Sequence, residues 1–398
     1  MDLDVITVGG GLGGSTLASA VAHSGRSVLV LEREREFKDR VRGENMLPWG
    51  VAAARRLGVV DILMAAGGHR VPFFNVYFMG TQTEHRPFPV TTPTREASLN
   101  MYHPDLQETL LSAAVHAGAE VRRGGHVESI AEQEGGWKVT FRENGDAQFV
   151  TARLVVGADG RFSAVRQMGG FTVRRDPDNL RIAGTLVEGT KVPDDGVHFC
   201  LGPGFATFIA PLGNGRARVY FIYPGALGDR KLSGKAKTSE FLDGCRATNV
   251  PCDWFDGVSV VGPLAEFEGA DHWVSSPSKP GLALIGDAAG ATDPSWGCGL
   301  SKTLVDVETL AGLLAESDDW DAALRRYAAM HDDYFSKLHD ILSWWTMLIW
   351  AGGPEADARR ARVMPRMQQD PTGYPDPAGQ GPFGPCDERA RRLVLGEE

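Results

Sequence analysis

Gly9, Gly11 and Gly14 stand in the spacing GxGxxG, directly after the apolar run "DVITV" and before the small-residue stretch "STLASAVAHSG". The first glycine permits a tight turn, the second lets backbone approach a ligand, and the third lets a helix pack on its strand. Leu12 and Gly13 lie between them, where the free N–H groups of a helix end attract phosphate oxygens. The next apolar run, "RSVLVLE", ends in Glu32, with Arg33 beside it. A carboxylate there accepts hydrogen bonds from ribose hydroxyls and repels a 2′-phosphate. This is the chemistry of gripping the adenosine and pyrophosphate of a dinucleotide.

Two further acids follow apolar runs that end in glycine turns: Asp159 in "VVGADGRFSAVR" and Asp287 in "ALIGDAAG". Asp159 is placed to meet backbone or side-chain donors near the ligand, and Asp287 to accept from a ribityl hydroxyl. Beyond Asp287, Pro294, Gly297 and Gly299 let the chain pass flat beside a ring before Leu300 opens a helix. The N-terminus of that helix favours negative charge. Arg42, in "RVRGENMLPWG", offers a fork of donors to ribityl or pyrophosphate oxygens. Two cradles imply a ligand with two polar ends, one of them a flat ring that becomes negative on reduction. FAD is such a ligand.

These turns need strands and helices to hold them. Residues 4–32 form a βαβ unit, the minimum module for a dinucleotide. Aromatic and β-branched residues from 71 to 99, and again from 181 to 274, read as strands of a second sheet. "PDLQETLLSAAVHA" returns to helical spacing. The expected fold class is α/β: a doubly wound, Rossmann-like domain with an inserted mixed β-sheet domain and C-terminal helices. Residues 1–70, 100–180 and 275–335 are assigned to the first domain, and 71–99 and 181–274 to the substrate domain. Residues 336–398 are assigned to a C-terminal helix and a Pro/Gly-rich tail. Seven prolines between Pro354 and Pro385 lead us to expect an extended tail wrapping the body. "LHDILSWWTMLIW" (338–350) is expected to be buried, closing the core or a substrate tunnel.

Together, GxGxxG with Glu32, "VGADGRFSAVR" and "GDAAG…DPSWGCGL" resemble the single-component FAD-dependent monooxygenases of the para-hydroxybenzoate hydroxylase type. The match of order and spacing covers roughly residues 1–345. The resemblance implies bound FAD, reduced transiently by NADH or NADPH, and one oxygen atom delivered through a flavin C4a-hydroperoxide. It implies that Arg42 sits near ribityl and pyrophosphate, and that Asp287 holds the ribityl chain. Gly299 and Leu300 would offer backbone to the pyrimidine edge, and Val127 would bracket the adenine. At the start of the helix after residue 102 the family often carries an FAD-touching arginine; here His103 stands there, and Gln107 is the substitute. Gly290 and Ser301 replace a histidine and an asparagine common in the family.

Such chemistry resides in the cofactor, so no universal nucleophile is expected. Candidates for substrate activation are His85, Arg95, His198, Tyr220 and Tyr223; for each, an ordinary strand position is the competing reading. Trp296, in the ring-facing loop, is read as a packing wall. Phe73, Phe74, Phe78, Phe205 and Phe208 suit an aromatic pocket. The expected substrate is an aromatic or polyketide-like small molecule. Halogenation, reduction of isoprenoid double bonds and a non-enzymatic carrier are alternatives. Tryptophan halogenases carry a WxWxIP motif and a lysine after the first glycine-rich unit; here no lysine occurs between Lys38 and Lys138.

Composition narrows the partners. A net charge of −10 and a pI near 5.5 argue against nucleic acid or an anionic membrane surface. Five scattered cysteines without a CxxC pair suggest no zinc site and no disulfide framework. No apolar run is long enough to span a bilayer. A cytoplasmic monomer or homodimer is expected.

Overall fold

The computed structural model describes residues 2–177, 180–202, 204–225 and 231–398. Its first sheet is built on Leu3–Val8, whose sequence LDVITV is apolar on both faces because both are covered, one by helices and the other largely by antiparallel strands. Val28–Glu32 and Asp146–Gly157 flank it in parallel, and Leu282–Leu284 lies parallel to Asp146–Gly157 on its far side. Glu120–Arg123 extends the sheet beyond Val28–Glu32. An antiparallel flap, His126–Gln133 and Gly136–Glu143, folds back from Asp146–Gly157.

Three neighbouring parallel strands thus end at the same sheet edge, and each runs into one of the glycine turns. That geometry gathers residues nearly three hundred positions apart, since crevices form at the carboxyl ends of parallel strands. Backbone bonds stitch the turns together. Ala158 N–H donates to Val8 (2.8 Å), Ile285 N–H to Gly157 (3.0 Å) and Gly9 N–H to Leu31 (2.9 Å). The helices Leu12–His23, His103–His116 and Gly299–Glu316 pack on this sheet through Leu17, Val21, Leu111, Ala114, Leu310 and Leu313.

The second sheet runs Ser259–Val260, Leu180–Glu188, Arg216–Pro224, Ala206–Gly213, Gly196–Leu201, Phe73–Phe78, Thr81–Pro87, with Ala265–Gly269 also paired to Leu180–Glu188. It is mixed: Gly196–Leu201 lies parallel to Phe73–Phe78 and the other pairs are antiparallel. The expected fold class is therefore the observed one.

Trp320–Ile349 is a 30-residue helix, about 45 Å long, with Leu324, Tyr327, His331, Phe335, Leu338 and Leu342 on its buried face. Leu338, Ile341, Leu342 and Leu348 are buried, which matches the reading of 338–350. The tail differs from expectation: Pro354–Gln369 is helical. Pro354 occupies the first turn, where no N–H is needed, and the Ala- and Arg-rich run behind it has high helix propensity. Pro365 sits inside that helix and forgoes one ladder bond. Among the described residues, no helix is long and apolar enough to cross a membrane.

Candidate functional site

The glycine turns open onto a single cavity of about 1120 Å³ that continues across one face of the second sheet. This exceeds the 300–1,000 Å³ or so of a pocket for one small molecule, leaving room for a long cofactor and a second ligand. Of the sequence-predicted cofactor residues, Gly9, Gly11, Leu12, Gly13, Glu32, Arg33, Arg42, Gln107, Val127, Asp159, Asp287, Pro294, Gly297, Gly299 and Leu300 all line it. Gly14 lies behind them, where a Cβ would overlap the Gly9 carbonyl oxygen. Gly9, at φ +103°, has Ala158 O only 2.5 Å from where its Cβ would stand. Both must be glycine for the helix to close on the strand.

The cradle has free groups where a flavin dinucleotide needs them. Glu32 is buried at the end of its strand and accepts from Gly10 N–H (2.6 Å) and Glu34 N–H (2.7 Å). Gly297 would have open space beside a Cβ, and for Gly299 the nearest atom is Asp287 Oδ1 at 3.9 Å. Ser295 Oγ is buried in the ring-facing loop without a partner. The Arg42 guanidinium lies 5.4 Å from the Phe267 ring. Burial holds its pKa below the usual arginine value, against the pull of Asp287. These features fit FAD.

Each group is fixed by a named device. Asp159 accepts from Ser163 Oγ (2.5 Å), Ala164 N–H (2.7 Å) and Val165 N–H (3.1 Å), capping the short helix Ala164–Met168. Arg166 crosses from that helix to donate to the carbonyls of Ala288 (3.1 Å) and Arg161 (2.8 Å). Behind Asp287, Lys302 and Asp306 are fully buried. Asp306 accepts from Gly286 N–H (2.7 Å), and Lys302 donates to Gly286 O (2.9 Å), so the turn is clamped through both backbone groups.

The Arg42 segment is strained and then pinned. Val41 has φ +53°, a left-handed conformation costly for a β-branched residue. Fully buried Arg218 reaches this segment, donating to Asp39 (3.0 Å) and Glu44 (2.7 Å). Burial opposes its charge, and Glu44 and Asp39 more than restore it. Tyr220 donates its hydroxyl to Arg42 O (2.8 Å), and burial pushes its phenol far up, so it stays a neutral donor. His103 donates from Nδ1 to Gly43 O (2.9 Å), with its pKa lowered to about 4 by burial.

Strand alternation sorts the substrate-side candidates. Tyr220 and Trp296 face the cavity, and Trp296 donates to Thr346 Oγ1 (3.1 Å). His85 lies at the cavity margin, but its ring stacks on Phe73 and bonds Asn75 Oδ1 (2.7 Å). His198 and Tyr223 sit outside the wall, His198 against Trp254 and Tyr223 against Glu266. Arg95 is exposed and also outside it. Of the five phenylalanines, Phe74 and Phe208 line the cavity.

Both family departures have structural reasons. A side chain at Gly290 would collide with the Phe335 ring (2.6 Å), and Ser301 Oγ accepts Leu47 N–H (2.9 Å) beneath Gly50, where a larger residue would clash. Sequence reasoning missed the wall formed by Met364, Met367, Tyr374 and Asp376 of the tail, and Glu84 and Arg86 of the edge strand. "TEHRP" was a signal for the last two: charges in an otherwise aromatic, β-rich stretch.

The FAD binding domain family matches residues 2–336. The chain is 28% identical over 364 residues to digeranylgeranylglycerophospholipid reductase 2 of Methanopyrus kandleri, covering 85% of this chain and 84% of that one. It is 30% identical over 322 residues to rifampicin monooxygenase of Streptomyces venezuelae, covering 80% of this chain and 65% of that one. A flavin-dependent brominase superposes with a TM-score of 0.80 at 17% identity, covering 100% of this chain and 98% of that one, a likeness of fold alone. With the family match spanning all three glycine turns, the chain belongs to the FAD binding domain family.

Proposed function

We propose that the protein hydroxylates an aromatic or polyketide-like small molecule, using NADH or NADPH and O2. The observation that carries this reading is the continuity of the flavin cradle with an aromatic chamber in one cavity. Phe74, Phe199, Phe208, Phe267, Trp296 and Trp345 line it. Among the described residues its one lysine is Lys38, beside Phe37 and Arg40. That favours hydroxylation over a halogenation that depends on a lysine near the substrate.

When bound, FAD supplies the redox and oxygen chemistry. The residues of this chain orient and shield. Arg42 and Asp287 would hold the ribityl and phosphate groups, and the residue 299–300 backbone would face the pyrimidine edge of the ring. Tyr220 and Arg218 keep the Arg42 segment in its strained form, while the aromatic wall excludes water from the reacting face. The site residues and the substrate-domain limits given from the sequence belong to this proposal.

A second reading, reduction of an isoprenoid double bond, is favoured by the 28% identity to the reductase. The test is reduction of the flavin band by NADH or NADPH without air, then admission of air with aromatic and isoprenoid substrates. A product heavier by one oxygen atom is expected. A product that gains two hydrogens, or exchanges hydrogen for halogen, overturns the reading.

A further inference from the structure

One uninterrupted row of residues crosses the cavity face of the second sheet. Direct cross-strand partners run from Gly184 to Tyr220, Phe208, Phe199, Val76 and Glu84. All but Gly184 line the cavity. Neighbouring strands lie 4.7–4.9 Å apart, so the four steps from Tyr220 to Glu84 span about 19 Å. At one end Tyr220 touches the Arg42 segment. In the middle the Phe199 and Phe208 rings meet edge to face, with centroids 6.3 Å apart. Trp345, Ile349 and Met364 also line this chamber.

The far end breaks the apolar pattern. Glu84 sits opposite Val76, exposed to solvent where it lines the cavity, and surrounding protein pushes its carboxyl above the usual range. The two nearest charges satisfy one another: Arg86 donates to Asp376 Oδ2 (2.5 Å) and to Thr91 Oγ1 (2.9 Å). The cluster of Glu84, Arg86 and Asp376 therefore carries one net negative charge, that of Glu84. A carboxylate on a wall that an apolar ligand will dry is costly unless the ligand brings a partner. A protonated amine does so by donating a hydrogen bond and neutralising the charge together; a carboxylate is repelled, and an alcohol donates a hydrogen bond but leaves the charge unpaired.

We propose that this row is a substrate track and that Glu84 selects a flat, polycyclic aromatic carrying a protonated amine at the end remote from the reacting ring. The inference rests on the flavin reading for the Tyr220 end, but it is read by binding alone.

The test titrates the protein as purified with pyrenemethylamine, pyrenemethanol and pyreneacetic acid near neutral pH, following pyrene fluorescence. The amine is expected to bind about tenfold more tightly than the alcohol, and the acid more weakly than both. Glu84→Gln should bring the amine to within about twofold of the alcohol and leave the alcohol unchanged. Phe208→Ala should weaken all three, with FAD content retained in both variants as the control for folding. An amine preference that survives Glu84→Gln, equal binding of amine and alcohol by the wild type, or no binding of any probe would overturn the proposal. Failure to hold FAD would sink the flavin reading separately, since probe selectivity needs no turnover.

Discussion

Gly14 and Lys302 act on two different turns of the cofactor cradle, those of Gly9 and Gly286, and neither needs to touch the ligand. At Gly14 a single methyl group would collide with the Gly9 carbonyl, so Gly14→Ala should abolish FAD retention, measured as the ratio of flavin to protein absorbance. A variant that purifies with full flavin would contradict this packing. Lys302 is buried with Asp306 around Gly286. Lys302→Met leaves that carboxylate uncompensated, and removing one partner of a buried pair costs about 3–5 kcal/mol. Urea unfolding should show a loss of that order, with weaker FAD binding because Asp287 follows the clamped glycine. The glycines and Asp287 were legible in sequence because backbone turns demand particular residue types. Lys302 was not, since nothing in local spacing distinguishes a solvated lysine on a helix from one that folds inward.

At the scale of elements, the loop carrying Pro294 and Gly297 depends on a pair of buried acids. Asp271 accepts Asp293 N–H (2.5 Å), and Asp293 caps the turn by accepting Ser295 N–H (2.9 Å). Burial pushes the Asp271 carboxyl up, against the N–H of Asp293 that pulls it down. A carboxyl raised in the folded state contributes stability below its ordinary pKa and loses it as pH rises through the folded value. Asp271→Asn should therefore gain thermal stability relative to wild type as pH increases from the acidic side toward neutrality. A gap that is flat or shrinks with pH would refute the assignment. The tail is held by Arg86 and Asp376, both mostly buried. Asp376→Ala should cost about 1 kcal/mol, since solvent still screens the pair, and should speed protease cleavage between residues 370 and 380. Strand alternation explains which candidates reached the cavity: Tyr220 shares a face with Phe208, whereas Tyr223, three residues on, points the other way. The sequence offered both tyrosines without revealing which face was inward, because both faces of this sheet are apolar.

For the molecule as a whole, three parallel strands bring Gly9, Asp159 and Asp287 to one sheet edge, and this was legible from apolar runs that each end in a glycine turn. The closing of the cavity by residues 364–380 was not legible. It depends on pairing across nearly three hundred positions, Arg86 with Asp376, and proline content alone argued against the helix that delivers the tail there. The same long-range packing joins the glycine turns and the aromatic track in one cavity, and the proposed function puts the meeting of cofactor ring and substrate there. A crystal structure of the chain grown with FAD tests this most directly. The account expects the adenosine ribose at Glu32 with the adenine beside Val127, the ribityl chain at Arg42 and Asp287, and the isoalloxazine flat against residues 294–300 at the Tyr220 end of the track. A ring bound elsewhere, or a cavity that excludes FAD, would contradict it.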